Sequence, residues 1–303
     1  MRDLQSLERV VGRELDRSLR VLEREIISIY TAVRDEVQAV LAEVYRKYSI
    51  DGVLTRAQMS KYNRLANLEK QLNTIVGHGT QKTRATIERL TRQQYNEAFF
   101  RHGWAVDQHL GVSLKWGLLR TQDIAAAVEN PLRLIAEDRL RTLGREKIRR
   151  VVAQGLVRGD SYAQMARGME DAILAKGKES LRYNALRVAR TEGGRAQTLG
   201  TLAAYDEAER QGVEMERVWV ATLDDRTRDS HQDMDGVVEG DDGLFPTPVG
   251  RVAGPRLSGV PEFDINCRCT IIAQVKDLPI ELERRIRDEG VKPYQTYREW
   301  RPT

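Results

Sequence analysis

The chain has 303 residues, with 49 Lys and Arg against 45 Asp and Glu, 31% charged residues and 6% aromatics. No apolar run approaches the ~20 residues that a membrane helix needs, and the opening MRDLQSLERVVGRELDRSLR is too charged for a secretory signal. Cys267 and Cys269, one residue apart, do not make a disulfide framework and fit assembly in a reducing cytoplasm.

Few aromatics and many charges suit long helices with narrow apolar stripes better than one thick globule. Asp3 to Tyr48 reads as one such helix, with apolar residues at Leu4, Leu7, Val11, Leu15, Leu19, Leu22, Ile26, Ile29, Val33, Val37, Val40 and Val44. That spacing is about 3.64 residues per turn, nearly that of a straight helix and above the 3.5 of a heptad coil. A stripe longer than one domain core predicts that much of it is buried by other helices. Asp51-Gly52 is the predicted turn. Thr55 with Gln58 then forms a capping box that opens a second helix. Gly77-His78-Gly79 is expected to interrupt it, and Thr80 to cap a third helix ending at His102-Gly103.

His78, His102 and His109 stand alone and read as surface or packing residues, because no second ligand lies at helical spacing. Trp104 and Trp116 suit a small core or an interface. Asn130-Pro131 opens a helix that continues past Gly144 to about Val157. Ser161 caps the next, over Tyr162 to Leu174, and Gly177 breaks it. Segments Leu181–Arg190 and Glu192–Arg210 follow, with Gly212 at a helix C-terminus. Gly144, Gly155 and Gly159 lack the following Lys-Ser/Thr of a phosphate loop.

The stretch from Glu216 to Val275 carries the chemistry. Arg217 to Leu223 reads as a strand with Trp219 and Ala221 on one face and Val218, Val220 and Thr222 on the other. Asp224-Asp225 ends it, Thr227 to Met234 is a short helix capped by Thr227, and Asp235-Gly236 stops that helix. Asn266 is a turn former ahead of a second strand, Cys269 to Val275. Beyond it, a helix is predicted over Pro279 to Glu289. The tail VKPYQTYREWRPT, with Tyr294, Tyr297 and Trp300 among Arg298 and Arg301, reads as either disordered or a partner anchor.

WVATLDDRTRDSH, then Asp235-Gly236, then NCRC before an apolar strand, resembles the phage Mu F-like family of minor head proteins. ARTEGGRAQT, Ala189 to Thr198, is similar to the helix that precedes the motif in that family, with Gly193-Gly194 where members often carry a Thr-rich run. The likeness covers roughly Leu181 to Val275, and nothing resembles the family before about residue 150. It singles out Trp219, Asp224, Asp225, Arg226, Arg228, His231, Gly236, Asn266, Cys267, Arg268 and Cys269 as the motif core. It adds Arg190, Thr191 and Glu192 on the upstream helix.

The resemblance implies a structural minor capsid protein of a tailed bacteriophage. It would lie in the virion, inside the head or at the portal vertex, and act in head morphogenesis and in DNA packaging or ejection. Portal protein and other head proteins are the implied partners, and packaged DNA is a further candidate. Residues 1 to 215 carry a net charge of +8 and the remainder −4. The basic part therefore permits a DNA-binding helical protein, although a solvated helix surface of mixed charge is the favoured reading, since no aromatic-interleaved basic patch is present.

Two further readings concern chemistry. In an extended strand Cys267 and Cys269 point to one face, and His231, with Asp224 or Asp225, follows the first strand. Pairing of the two strands would bring them together as a structural zinc site. Alternatively, His231 centres a metal-dependent nuclease or hydrolase; no Gly-x-Ser-x-Gly elbow is present. A hydrogen-bonded network that staples a small domain explains the same residues without a ligand. The predicted architecture is mainly α, with elongated long helices and a small α+β C-terminal module. Its expected divisions are 1–103 (long helices), 104–215 (helical domain), 216–276 (module) and 277–303 (helix and tail).

Overall fold

The computed structural model of the chain describes residues 4–111, 114–117, 119, 121–222, 224–275, 283–286 and 290–293. In chain order the elements are α1 (Leu4–Tyr48), α2 (Arg56–Ser60), a 3-10 turn (Lys61–Asn63), α3 (Arg64–Leu110), α4 (Thr121–Val128), α5 (Pro131–Arg158), α6 (Tyr162–Leu174) and α7 (Leu181–Arg210). There follow β1 (Met215–Val220), α8 (Asp229–Gln232), β2 (Phe245–Thr247), β3 (Gly250–Val252), α9 (Pro261–Asp264), β4 (Thr270–Val275), β5 (Glu283–Ile286) and β6 (Gly290–Pro293). The fold is mainly α with a small α+β module at its C-terminal side, as the sequence predicts. It divides into two compact units: Met1–Arg20 with Leu90–Glu129 and Arg190–Thr303, and Val21–Arg89 with Asn130–Ala189.

The unit of Val21–Arg89 and Asn130–Ala189 is a set of packed helices. Its share of the α1 stripe is buried within this chain: Leu22, Ile26, Tyr30, Val33, Val37, Leu41 and Tyr45 are each at most 5% exposed. The chain's own helices therefore cover this part of the stripe. It also drifts by one position relative to the sequence reading, taking Tyr30, Leu41 and Tyr45 in place of Ile29, Val40 and Val44. Tyr45 suits its place because its ring packs while its hydroxyl donates to the Asp160 carbonyl at 2.7 Å.

The capping box at Thr55 and Gln58 forms, but α2 ends after five residues because Tyr62 and Asn63 adopt positive φ. Helix α3 then runs unbroken for 47 residues. Gly77-His78-Gly79 does not interrupt it and Thr80 does not cap a new helix; Thr80 Oγ1 donates to the Val76 carbonyl inside α3. Gly79 is there for close approach: a Cβ at that position would run into the Val33 side chain. Ser161 caps α6 through a capping box with Gln164. Segments 181–190 and 192–210 form one continuous helix, α7.

In the other unit, α3 continues past His102-Gly103 to Leu110. His102 and His109 are buried packing residues; His102 stacks edge-on against Tyr205 with centroids 5.7 Å apart. Helix α7 ends in a Schellman motif, with Gly212 at φ +91° and the Val213 N–H donating to the Ala208 carbonyl at 3.1 Å. That turn delivers the chain into β1, which pairs antiparallel with β4 in the register Met215↔Val275 to Val220↔Thr270. On the other side of β1, Trp219 exchanges backbone hydrogen bonds with Gly236 and Val237, so β1 is central.

The module's apolar face joins a wider core. Trp219, Phe245, Phe263, Ile271 and Ala273 belong to one buried cluster with Leu4, Leu7, Val11 and Leu15 of α1 and Tyr205 of α7. Glu8, 5% exposed, accepts hydrogen bonds there from the Tyr205 hydroxyl and from the Ala273 N–H. At the C-terminal side, 283–286 and 290–293 pair as an antiparallel hairpin, where the sequence predicts a helix. Ile286 and Val291 flank a short polar stretch ending in Gly290, a composition that favours a hairpin over a continuing helix. The tail residues Tyr294, Tyr297, Arg298, Trp300 and Arg301 lie outside the described residues.

Candidate functional site

The strand pair sets the site. Trp219 lies opposite Ile271, is fully buried, and meets Phe245 edge-on at 5.4 Å. Leaving β1, the chain turns at Asp224 and enters α8, a single turn over Asp229–Gln232. Its N-cap is Arg228, without a side-chain cap bond, and not Thr227. Thr227 is engaged elsewhere: its hydroxyl donates to the Thr222 carbonyl at 2.5 Å and so closes the turn. Asp235 and Gly236 reverse the chain as predicted, Gly236 at φ +78°, while Asp235 Oδ1 accepts from the Ala221 N–H at 2.8 Å.

His231, Cys267 and Cys269 converge. They are 2%, 7% and 1% exposed. His231 Nδ1 lies 3.3 Å from Cys269 Sγ and 3.5 Å from Cys267 Sγ. The imidazole leans on Phe263 with ring centroids 4.3 Å apart, and its buried Nε2 has no hydrogen-bond partner. Cys267 is the thiol that ionises more readily, because the Cys269 thiol donates towards it and His231 lies close by, against the opposing effect of burial. A charge on Cys269 beside that first thiolate is correspondingly disfavoured. A small cavity of about 110 Å³ opens on the three residues, lined also by Arg226, Arg228, Asn266 and Arg268.

The remaining motif residues act as clamps. Arg228 donates to three backbone carbonyls of the α9 turn: Nη1 to Glu262 at 2.8 Å and Ile265 at 3.0 Å, and Nη2 to Phe263 at 2.8 Å. One guanidinium thus ties the strand-to-helix turn carrying His231 to the segment carrying Cys267. Asp224 takes a bidentate pair from Arg268, with Nη2 to Oδ1 at 2.6 Å, and also accepts from the Arg226 N–H at 3.0 Å. The Arg268 guanidinium holds the Asp224 carboxyl well below the usual carboxylate range. Neither expected carboxylate joins the sulfur–imidazole cluster. Asp224 is committed to Arg268 and Asp225 is exposed, and among the described residues that ligand cluster is His231, Cys267 and Cys269. Asn266 adopts φ +56°, a left-handed turn that its side-chain type tolerates, and this presents Cys267 to the interior.

The upstream helix meets the module through Thr191, whose Oγ1 accepts from the Asn266 N–H at 3.2 Å. Glu192 is buried and Arg190 exposed. Sequence reasoning missed Arg256. Its side chain is 6% exposed, and it donates to the Cys267 carbonyl at 2.7 Å and to Thr198 Oγ1 at 3.2 Å. The Gly193-Gly194 departure explains how it fits, because a Cβ on Gly194 would come within 2.7 Å of Arg256 Nε. Asp264, also missed, accepts from Ser258 Oγ at 2.7 Å and the Gly259 N–H at 2.8 Å, ordering the loop before α9. The run Ser258-Gly259-Val260-Pro261, a turn former followed by Pro at a helix start, was the available signal.

Residues 146–272 match the family described as Phage Mu protein F like protein. Among individual proteins, the chain is similar to Minor head protein GP7 of Bacillus phage SPP1: 28% identical over 304 residues, 96% of this chain and 95% of that protein. It is also 28% identical over 297 residues to the NAD(+)--arginine ADP-ribosyltransferase EFV of Enterococcus faecalis. That match takes in 92% of this chain and only 59% of the transferase, so the chain spans about three-fifths of that relative's length. No solved structure matches the chain.

Proposed function

We propose that the chain is a structural minor head protein of a tailed bacteriophage. In this reading it sits in the virion at or near the portal and acts in head morphogenesis and in the passage of DNA at packaging or ejection. The observation that carries the reading is the co-extensive likeness to the SPP1 minor head protein, which spans nearly the full length of both chains. The site supports a non-catalytic role. Asp224, Arg228 and Arg268 are spent on holding backbone segments together, and the cavity beside His231, about 110 Å³, is well below the roughly 300–1,000 Å³ of ordinary ligand pockets.

The transferase activity named for the enterococcal relative does not transfer easily. The shared stretch fills almost all of the head protein but leaves about two-fifths of the transferase unmatched, so the activity named for that relative is not carried over to this chain. Portal protein and other head proteins are the partners in this reading. The net charge of +8 on residues 1 to 215 supports contact with packaged DNA. The portal assignment is tested by co-purifying tagged chain with portal protein and by gold-labelling the chain in heads. Label at a single vertex is the expected result; label spread over all vertices refutes portal placement. Divalent-metal-dependent cleavage of DNA by pure protein, abolished in a folded His231→Ala variant, would instead establish the hydrolase reading.

A further inference from the structure

We propose that His231 Nδ1, Cys267 Sγ and Cys269 Sγ bind a zinc ion. The inference holds whether or not the chain sits at the portal.

Geometry is the first support. Zn–S near ~2.3 Å and Zn–N near ~2.0–2.1 Å set the edges of a tetrahedral site at about 3.6 Å between nitrogen and sulfur and about 3.8 Å between sulfurs. The two nitrogen–sulfur separations, 3.3 and 3.5 Å, are already close to that edge, and all three atoms lie within 4.8 Å of one another. Hydrogen bonding alone satisfies this arrangement poorly. One imidazole nitrogen has a single lone pair or a single proton, yet Nδ1 faces two sulfurs at once. A cation accepts all three donors together. Two thiolates and a neutral imidazole also balance the charge of a divalent ion, which suits a site that is almost wholly buried.

The surroundings are built to hold the ligands still. Arg256 fixes the Cys267 carbonyl, Thr222 Oγ1 donates to the Arg268 carbonyl at 2.9 Å between the two cysteines, and Arg228 pins the α9 turn to the start of α8. The first two bonds act on backbone at or beside a ligand, the outer-shell role that sets ligand direction in metal sites, and the third fixes the turn that leads into Cys267. Three protein ligands leave one tetrahedral position for a non-protein group, and the cavity that touches all three gives water room there.

The test uses the full chain, purified under reductant and without chelator. About one equivalent of zinc per chain is expected. Replacing it with Co²⁺ should give a thiolate-to-cobalt charge-transfer band and the intense visible bands of a tetrahedral site. Cys269→Ser and His231→Ala should each weaken Zn²⁺ binding by more than the roughly 10–100-fold that loss of an outer-shell partner costs. If those variants do not fold, the wild-type Co²⁺ spectrum decides alone. Folded, reduced wild-type protein that shows no charge-transfer band and carries less than about a tenth of an equivalent of zinc overturns the proposal. A hydrogen-bonded staple would then remain.

Discussion

The helices of Val21–Arg89 with Asn130–Ala189 and the module of Glu216–Val275 are held by different means. The first rest on repeated apolar burial: Leu22, Ile26, Val33, Val37 and Leu41 face inward, and any residue of similar volume meets the same need. The module has a core of its own type too, but its loops are set by directed polar bonds, Arg228 onto three carbonyls, Arg268 onto Asp224, and Asp264 onto the Ser258 loop. Apolar stripes are satisfied by many sequences; a guanidinium spanning three carbonyls is satisfied by one residue type. That contrast explains why the motif is readable by eye in the module, whereas before about residue 150, where the sequence alone shows no resemblance, the likeness emerges only in the near full-length match to the SPP1 minor head protein.

The largest effect should come where the module's core meets the helices. Trp219→Ala should cost about 3–5 kcal/mol. Because Trp219 shares a cluster with Leu4 and Leu7, hydrogen exchange should rise in the first turns of α1 as well as in β1. Protection of α1 left intact in that variant would mean that the module's core is separate. Next come paired substitutions that set one region against the other. Leu41→Ala should cost about 2–5 kcal/mol but Leu41→Met under about 1.5. Arg228→Lys, by contrast, should behave nearly as badly as Arg228→Ala, about 1.5–3 kcal/mol in denaturant unfolding, because an ammonium cannot span the three carbonyls. Tolerance of Arg228→Lys would erase the distinction between the regions.

A pH effect of similar or smaller size follows from His102. Burial lowers its pKa to about 4, against about 6.5 for a free imidazole. Below pH ~6.5 the unfolded chain takes up the proton first, so this contribution is complete above that value. It should decline by about 1.4 kcal/mol per pH unit as the pH falls towards 4. His102→Phe should flatten that slope in thermal unfolding; an unchanged slope would remove His102 as its source. Smallest are the caps: Thr55→Ala and Ser161→Ala should each cost about 1 kcal/mol.

What the sequence revealed follows the same division. Helix α1, both capping boxes, the β1–β4 pair and the convergence of His231 with the cysteines all follow from periodicity or from local residue chemistry. Gly79 misled because a glycine that admits a neighbouring side chain, here Val33, looks in one dimension like one that breaks a helix. Tyr30 and Tyr45 were passed over because a count of aliphatic residues does not see a tyrosine with a buried hydroxyl. Arg256 was invisible for a third reason: its role depends on the absent side chain of Gly194 and on Thr198, both far away in sequence.

The central claim is that this chain is a component of the phage head. Quantitative mass spectrometry of purified virions tests it most directly, with the major capsid protein as internal standard. The account predicts peptides from both the helical region and the module, at a small and fixed number of copies per head. Virions that are complete and infectious yet contain none of the chain would contradict it.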